Sequence, residues 1–151
     1  MKRNRKIGSI TPALTNTTKT TVRFSEVDSM QVVWHGEYVR YFEDGREAFG
    51  RKYPGIGYLD FYAYGYTAPI VDLQLQYVAP LTVNDVAIIE TRLIDTAAAK
   101  LCFEYIIHRE CDGALVARGS SVQVFVDSDG NMCLNNPTFF EEWKRRWLTT
   151  K

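Results

Sequence analysis

Asp28 stands in the run Val27-Asp28-Ser29-Met30-Gln31-Val32-Val33-Trp34-His35-Gly36-Glu37-Tyr38, after a short β-type stretch and a few residues before an amphipathic helix. A carboxylate held there can act as a nucleophile or as a general base. The helix start offers unpaired backbone N–H groups and the positive end of the helix dipole. A carbonyl oxygen resting against such donors is polarised, and an oxyanion forming on it is stabilised. Carboxylate plus helix start therefore suits acyl transfer. Taken alone, an Asp in this setting is also a common turn residue.

Neighbouring side chains add to the chemistry on offer. A neutral His35 imidazole near Asp28 would orient a water or the carboxylate itself. Glu37 brings a second carboxylate, which would repel the charge on Asp28 or take part in catalysis. The plainer reading of Glu37 and Glu43 is that they are solvated or paired helix residues. Ser25 and Ser29 lie in no Gly-x-Ser-x-Gly elbow, so no serine-nucleophile pattern is present. His35 and His108 are the two histidines of the chain, which excludes a multi-histidine metal site within it. Asp127-Ser128-Asp129-Gly130-Asn131 resembles the start of a calcium loop. Its twelfth position is Thr138, however, and a strand precedes it, so it reads as a turn.

The elements that must position these groups follow from periodicity. Residues 1–17 read as a flexible tail, and 18–151 as a single domain. Thr20 to Phe24 alternates as a first strand, and a helix runs from about Gly36 to Arg51. Its apolar stripe is Tyr38, Val39, Phe42, Gly45 and Phe49. Gly45 within that stripe lowers helix propensity and allows close approach of a strand or ligand. The aromatic stretch Tyr53 to Tyr66 holds a short helix or turn around Tyr58 to Ala63, and reads as a core or interface cluster or as pocket lining. Period-two strands follow over Ile70–Val78, Asp85–Asp95, Lys100–Arg109 and Ala114–Asp127. Asp112-Gly113 marks a hairpin. Asn136-Pro137 reads as an N-cap with Pro at the first helical position, ahead of Phe139, Phe140, Trp143 and Trp147. One long helix can cover one face of five strands, so the other face and the edges need a partner. A homodimer is the economical solution.

Bulk properties narrow the class. A chain of 151 residues with 46% hydrophobic and 13% aromatic content can bury a real core. Eighteen basic and eighteen acidic residues cancel, which argues against a dominant nucleic-acid or membrane-surface role. No run approaches the roughly 18 apolar residues of a membrane span, and no signal-peptide core follows Lys2–Lys6. Cys102, Cys111 and Cys133 form an odd set without Cys-x-x-Cys spacing, as expected in a reducing cytoplasm.

Three segments carry a family resemblance. Phe24 through Tyr38 combines an aromatic, the Asp, a turn, two aliphatics, Trp34-His35 and the helix tyrosine. Phe42-Glu43-Asp44-Gly45-Arg46-Glu47 has Glu and Arg three apart. Tyr77-Val78-Ala79-Pro80 is followed by Asp85 and Ile88-Ile89-Glu90-Thr91. In order and spacing the chain resembles hot-dog fold thioesterases of the 4-hydroxybenzoyl-CoA thioesterase and acyl-CoA thioesterase type, over about residues 20 to 130. The resemblance implies an α+β fold in which a five-stranded antiparallel sheet wraps a long central helix. It implies edge-to-edge homodimers, further assembled into tetramers in many relatives, with active sites at the subunit interface.

By motif position Asp28 matches the catalytic Asp, and the His35 backbone N–H matches the donor that polarises the thioester carbonyl. Tyr38 would shape the acyl pocket, and Gln31, Val33, Trp34 and Lys100 are expected on the substrate side. Many relatives carry Gly where Gln31 stands and Asn where Glu37 stands. Gln31 thus replaces a residue that tolerates positive φ. Lys100, Arg92, Arg109 and Arg118 are candidate coenzyme A phosphate ligands but are scattered, so an acyl carrier protein is the alternative bearer of the thioester. The expected reaction is thioester hydrolysis, for which no metal or organic cofactor is required. A hot-dog hydratase or dehydratase and a non-catalytic thioester-binding protein of the same fold are the alternatives.

Overall fold

The computed structural model describes residues 7–148 except Ser9. Five strands form one sheet: β1 (Leu14–Thr21), β2 (Ile70–Tyr77), β3 (Val86–Ile94), β4 (Lys100–Arg109) and β5 (Leu115–Val124). Their order across the sheet is β1-β3-β4-β5-β2, with every neighbouring pair antiparallel. The helices are α1 (Glu37–Lys52), α2 (Tyr58–Ala63) and α3 (Thr138–Leu148). A single 3-10 turn, Phe24–Glu26, precedes the Asp28 loop.

Helix α1 lies on the inner face of the sheet because two glycines admit it. A methyl group on Gly45 would collide with Thr91 Oγ1 and Ile89 Cγ2 on β3, so the helix backbone sits directly on that strand. Gly119 on β5 leaves room for the Phe42 ring, which stacks on Tyr105 at 4.4 Å and 9°. Phe49 packs edge-on against Phe103 at 5.1 Å. Burial of each such side chain contributes roughly 1.5–3 kcal/mol. The aromatic stretch and α3 close one end of this core. Phe139 stacks on Tyr64 at 4.7 Å, while the Trp143 and Trp147 indoles donate to the Tyr53 and Pro54 carbonyls at 2.9 and 3.2 Å.

Two expectations shift. The first strand begins at Leu14, inside the stretch expected as tail, and pairs with β3 from Leu14↔Leu93 to Thr21↔Val86. Its threonines favour extended backbone without the apolar alternation of a buried strand. Phe24 lies beyond it in the 3-10 turn and is exposed. The rest of the expected tail that falls on residues 1–6 and Ser9 lies outside the described residues. At α3 the first helical residue is Thr138, and the Pro137 carbonyl accepts from the Glu141 N–H at 3.1 Å. Pro137 therefore takes the N-cap place expected for Asn136, whose side-chain amide instead donates to Glu141 Oε1 at 2.7 Å. The Asp112-Gly113 hairpin forms as expected, with Gly113 at φ 71°.

Gly45→Ala is expected to lower stability by about 1–3 kcal/mol from overpacking, outweighing the roughly 1 kcal/mol that Ala gains over Gly in helix propensity. Denaturant unfolding measures the balance. A variant as stable as the parent would mean that α1 does not rest on β3 at this position.

Candidate active site

The Asp28 carboxylate is mounted in a tight, hydrogen-bonded turn. Val27 and Val33 form an antiparallel bridge. Between them the Asp28 N–H donates to the Val32 carbonyl and the Gln31 N–H donates to the Asp28 carbonyl, both at 2.9 Å. Asp28 Oδ1 accepts the Met30 N–H at 2.8 Å. Its other oxygen takes no hydrogen bond among the described residues, so a substrate or water can use it. Asp28 itself is half-buried.

The bend requires a left-handed residue, and Gln31 supplies it at φ 65°. Gln31 is exposed, so its amide stays out of the core. It carries the ~1–2 kcal/mol cost of placing Cβ in that region.

Glu26 ties this turn to the helix. Its carboxylate is buried, and Oε1 accepts the Arg23 N–H at 2.9 Å and the Tyr41 hydroxyl at 3.1 Å. Its backbone carbonyl accepts the Trp34 N–H at 2.9 Å. Burial and the adjacent Glu26 carboxylate raise the Tyr41 phenol well above its ordinary pKa, so it stays a donor. Val33 donates from its N–H to the Leu81 carbonyl at 2.8 Å. Arg109 in turn holds the Pro80 carbonyl at 2.6 Å, bracing the connection from β2 to β3.

The chain then enters α1. The Glu37 N–H donates to the Trp34 carbonyl at 2.9 Å. Among the described residues, the His35 and Gly36 N–H groups have no acceptor. Tyr77 on β2 donates its hydroxyl to the His35 carbonyl at 2.6 Å, and its ring meets Tyr38 edge-on at 5.1 Å. Burial pushes the Tyr38 phenol up to about 12.

The expected substrate-side residues divide. Asp28, Gln31, Trp34, His35 and Tyr38 share this corner. The His35 ring is exposed and lies 5.1 Å from the Trp34 ring, with no hydrogen bond to Asp28 among the described residues. Val33 turns into the hydrophobic core and supports the turn from below. Lys100 opens β4 beside the far end of β3. The eight residue steps of β3 span about 26 Å, so within one chain Lys100 is remote from Asp28. Arg109 is held by Asp112 and Pro80, and Arg92 lies 3.6 Å from Glu90. Glu37 is buried at the first helical position, 3.8 Å from Arg40, and its Oε2 has no hydrogen bond among the described residues. Burial of the Glu26 carboxylate and the reach of Tyr77 were not signalled by sequence. Partners 15 and 42 residues away leave no local pattern.

A cavity of about 970 Å³ lies along the C-terminal half of α1, between it, α2 and the start of β2. Phe61, Tyr66, Leu101 and Phe103 line its apolar wall, with Arg46 and Gln123 among its polar groups. The aromatic stretch thus serves both core and cavity.

The profile of the thioesterase-like superfamily matches residues 22–148. This chain belongs to that superfamily. It is a thioester hydrolase, with acyl-CoA as the substrate class at family level and the α+β hot-dog architecture expected from its motifs. YneP of Bacillus subtilis, named for a proposed acyl-CoA thioesterase activity, is 29% identical over 130 residues, 86% of this chain and 93% of that protein. The 1,4-dihydroxy-2-naphthoyl-CoA (DHNA-CoA) thioesterase of Staphylococcus aureus superposes with a TM-score of 0.77 at 24% identity, over 87% of each chain. A 4-hydroxybenzoyl-CoA thioesterase variant solved with 4-hydroxybenzoyl-CoA gives 0.74 at 20% identity, over 85% of this chain and 97% of that one. At those identities the two structures speak for the fold. Among the described residues no helix is long and apolar enough to cross a membrane.

Two measurements probe this corner. Gln31→Val puts a β-branched residue at positive φ and is expected to cost about 1–2 kcal/mol, while Gln31→Gly stays within about 1 kcal/mol of the parent. Equal stabilities in a thermal melt would contradict the strained turn. Tyr38 is a group whose folded pKa, about 12, exceeds its ordinary 10.0. Its neutral form therefore supports the fold fully below pH 10, and that support is lost as pH rises towards 12. Tyr38→Phe should flatten the alkaline limb of the stability curve, and an unchanged limb would refute the assignment.

Proposed function

We propose that the protein hydrolyses acyl-CoA or acyl-carrier-protein thioesters, with Asp28 as nucleophile or general base and the His35 N–H as oxyanion donor. One observation carries this reading. A half-buried carboxylate with one oxygen open stands in a braced turn that runs straight into a helix start whose first N–H groups lack acceptors.

As nucleophile, the open Asp28 oxygen attacks the thioester carbon, the C–S bond breaks, and the thiolate leaves and takes a proton from water. A second water then cleaves the resulting anhydride and regenerates the carboxylate. As base, Asp28 takes a proton from water, the hydroxide attacks the same carbon, and the departing thiolate receives that proton. In both routes negative charge develops on the carbonyl oxygen, where helix-start donors act most strongly.

In this reading the cavity along α1, apolar and within the range of small-molecule sites, takes an acyl group only across the two-chain interface, because Ile70 and Leu101 place it at the end of the sheet remote from Asp28 of its own chain. Two chains pair through β2. That strand is an unpaired edge with Ile70, Val71, Leu73 and Tyr77 exposed, and such an edge calls for a partner. Pairing of dimers into tetramers and a cytoplasmic location belong to the same proposal. Lys100 joins the site in this arrangement only from the partner chain.

The test is thiol release from a panel of acyl-CoA and acyl-carrier-protein thioesters. Asp28→Asn and Asp28→Ala are expected to lose about 10²–10⁴-fold in kcat, the usual weight of such a group. Turnover unchanged in both would remove Asp28 from the mechanism, and equilibrium sedimentation as a monomer would remove the dimer.

A further inference from the structure

The turn at the helix entry fixes the direction of two backbone donors. Trp34-His35-Gly36-Glu37 is closed by the Glu37 N–H on the Trp34 carbonyl at 2.9 Å. Gly36 lies at φ −72°, ψ −20°, and His35 is not among the residues with positive φ. A closed turn with that second central residue is of type I, so both central residues are helical. The His35 and Gly36 N–H groups then project to the same side, as at any helix N-terminus. Each belongs to a trans peptide whose carbonyl points the other way. The Trp34 carbonyl, paired with the His35 N–H, is held by Glu37. The His35 carbonyl, paired with the Gly36 N–H, is held by the Tyr77 hydroxyl at 2.6 Å.

We propose that Tyr77 is a positioning residue for thioester hydrolysis, holding the His35–Gly36 peptide so that the Gly36 N–H joins the His35 N–H as a second oxyanion donor. The inference rests on the reading of Asp28 and the helix start given above. Three features support it. A hydrogen bond to a peptide carbonyl polarises that same peptide and strengthens its N–H as a donor. The Tyr77 ring is itself fixed edge-on against buried Tyr38, so the hydroxyl cannot swing freely. Position 36 is also constrained, since any side chain there would collide with the Trp34 ring lying over it. The peptide is thus held from one side by a phenol on the sheet edge and covered on another by an indole.

The experiment uses the full chain and an acyl-CoA that the wild type hydrolyses, with Tyr77→Phe and Asp28→Asn in parallel. Tyr77→Phe keeps the ring on Tyr38 and removes only the hydroxyl. A donor acting in the transition state affects kcat and leaves KM alone. Loss of an oxyanion donor costs about 10²–10³-fold, and loosening one should cost less. The expected result is a kcat lowered about tenfold, with KM within about twofold of wild type and an unchanged melting temperature. Wild-type kcat in Tyr77→Phe, beside an inactive Asp28→Asn, would overturn the role of Tyr77 and leave the site intact. An active Asp28→Asn would overturn the site and this proposal with it. A lowered melting temperature with an unchanged kcat per folded molecule would make Tyr77 purely structural. Should Tyr77→Phe fail to fold, 2,3,5-trifluorotyrosine at position 77 decides. It is nearly isosteric, and its hydroxyl ionises near neutral pH. The role of Tyr77 predicts a new decline in kcat as that group loses its proton, and a wild-type pH profile would overturn it.

Discussion

The buried Glu26 carboxylate fixes the Asp28 turn to helix α1, and the geometry of the candidate site depends on that tie. Taking a carboxylate out of water costs several kcal/mol unless hydrogen bonds replace the lost hydration. Glu26 recovers them from the Arg23 N–H and the Tyr41 hydroxyl, so it sits well only where both donors stand. Its side chain reaches the second turn of α1, and its own carbonyl holds Trp34 at the helix entry. One residue thereby sets both the distance and the angle between the carboxylate two positions later and the helix start. An exposed ion pair could not do this, because its energy is small and its geometry loose.

The same corner is held from the sheet side. The connection after β2 gives the Leu81 carbonyl to Val33, and Arg109 braces that connection at Pro80. Tyr77 and Tyr38 meet edge-on just below. The Asp28 turn is therefore clamped between the end of β2 and the start of α1, elements about forty residues apart in sequence. Catalytic groups need a rigid frame around a reactive atom that stays open, and this turn satisfies both demands. Its backbone is braced at Asp28, Met30, Gln31 and Val33, while one Asp28 carboxylate oxygen takes no hydrogen bond among the described residues.

Much of this was legible in the residues, and what was not has physical reasons. The long helix, the four later strands and the Asp112-Gly113 hairpin follow from periodicity and turn chemistry, which are local. Gly45 was recognisable as a close-approach position because a glycine in an apolar stripe has little other use. Strand β1 was misplaced because an edge strand of threonines has no apolar alternation to count. Val33 sits in an aliphatic pair close to Asp28, yet its side chain faces the core, and a period of two cannot be read through a turn of this tightness. The candidacy of Lys100 rests on its charge and on the resemblance, and the register of β3 with β4 places it, within one chain, at the other end of the sheet from Asp28. Glu26 lay within the recognised motif as one more acid, because burial is a property of the folded surroundings.

Strand β2 links these arguments. It is the edge of the sheet, it carries apolar side chains into solvent, and its last residue holds the peptide at the helix start. An isolated edge strand is the part of a sheet freest to fray, because half its backbone groups face water. Fraying at its last residue would loosen the His35 carbonyl and with it the N–H groups proposed as oxyanion donors. A second chain paired along β2 would remove that freedom. The proposed dimer therefore does more than cover apolar surface. It would stiffen the strand whose last residue holds the His35 carbonyl, so that in the proposed mechanism association and catalytic geometry draw on the same hydrogen-bonded edge.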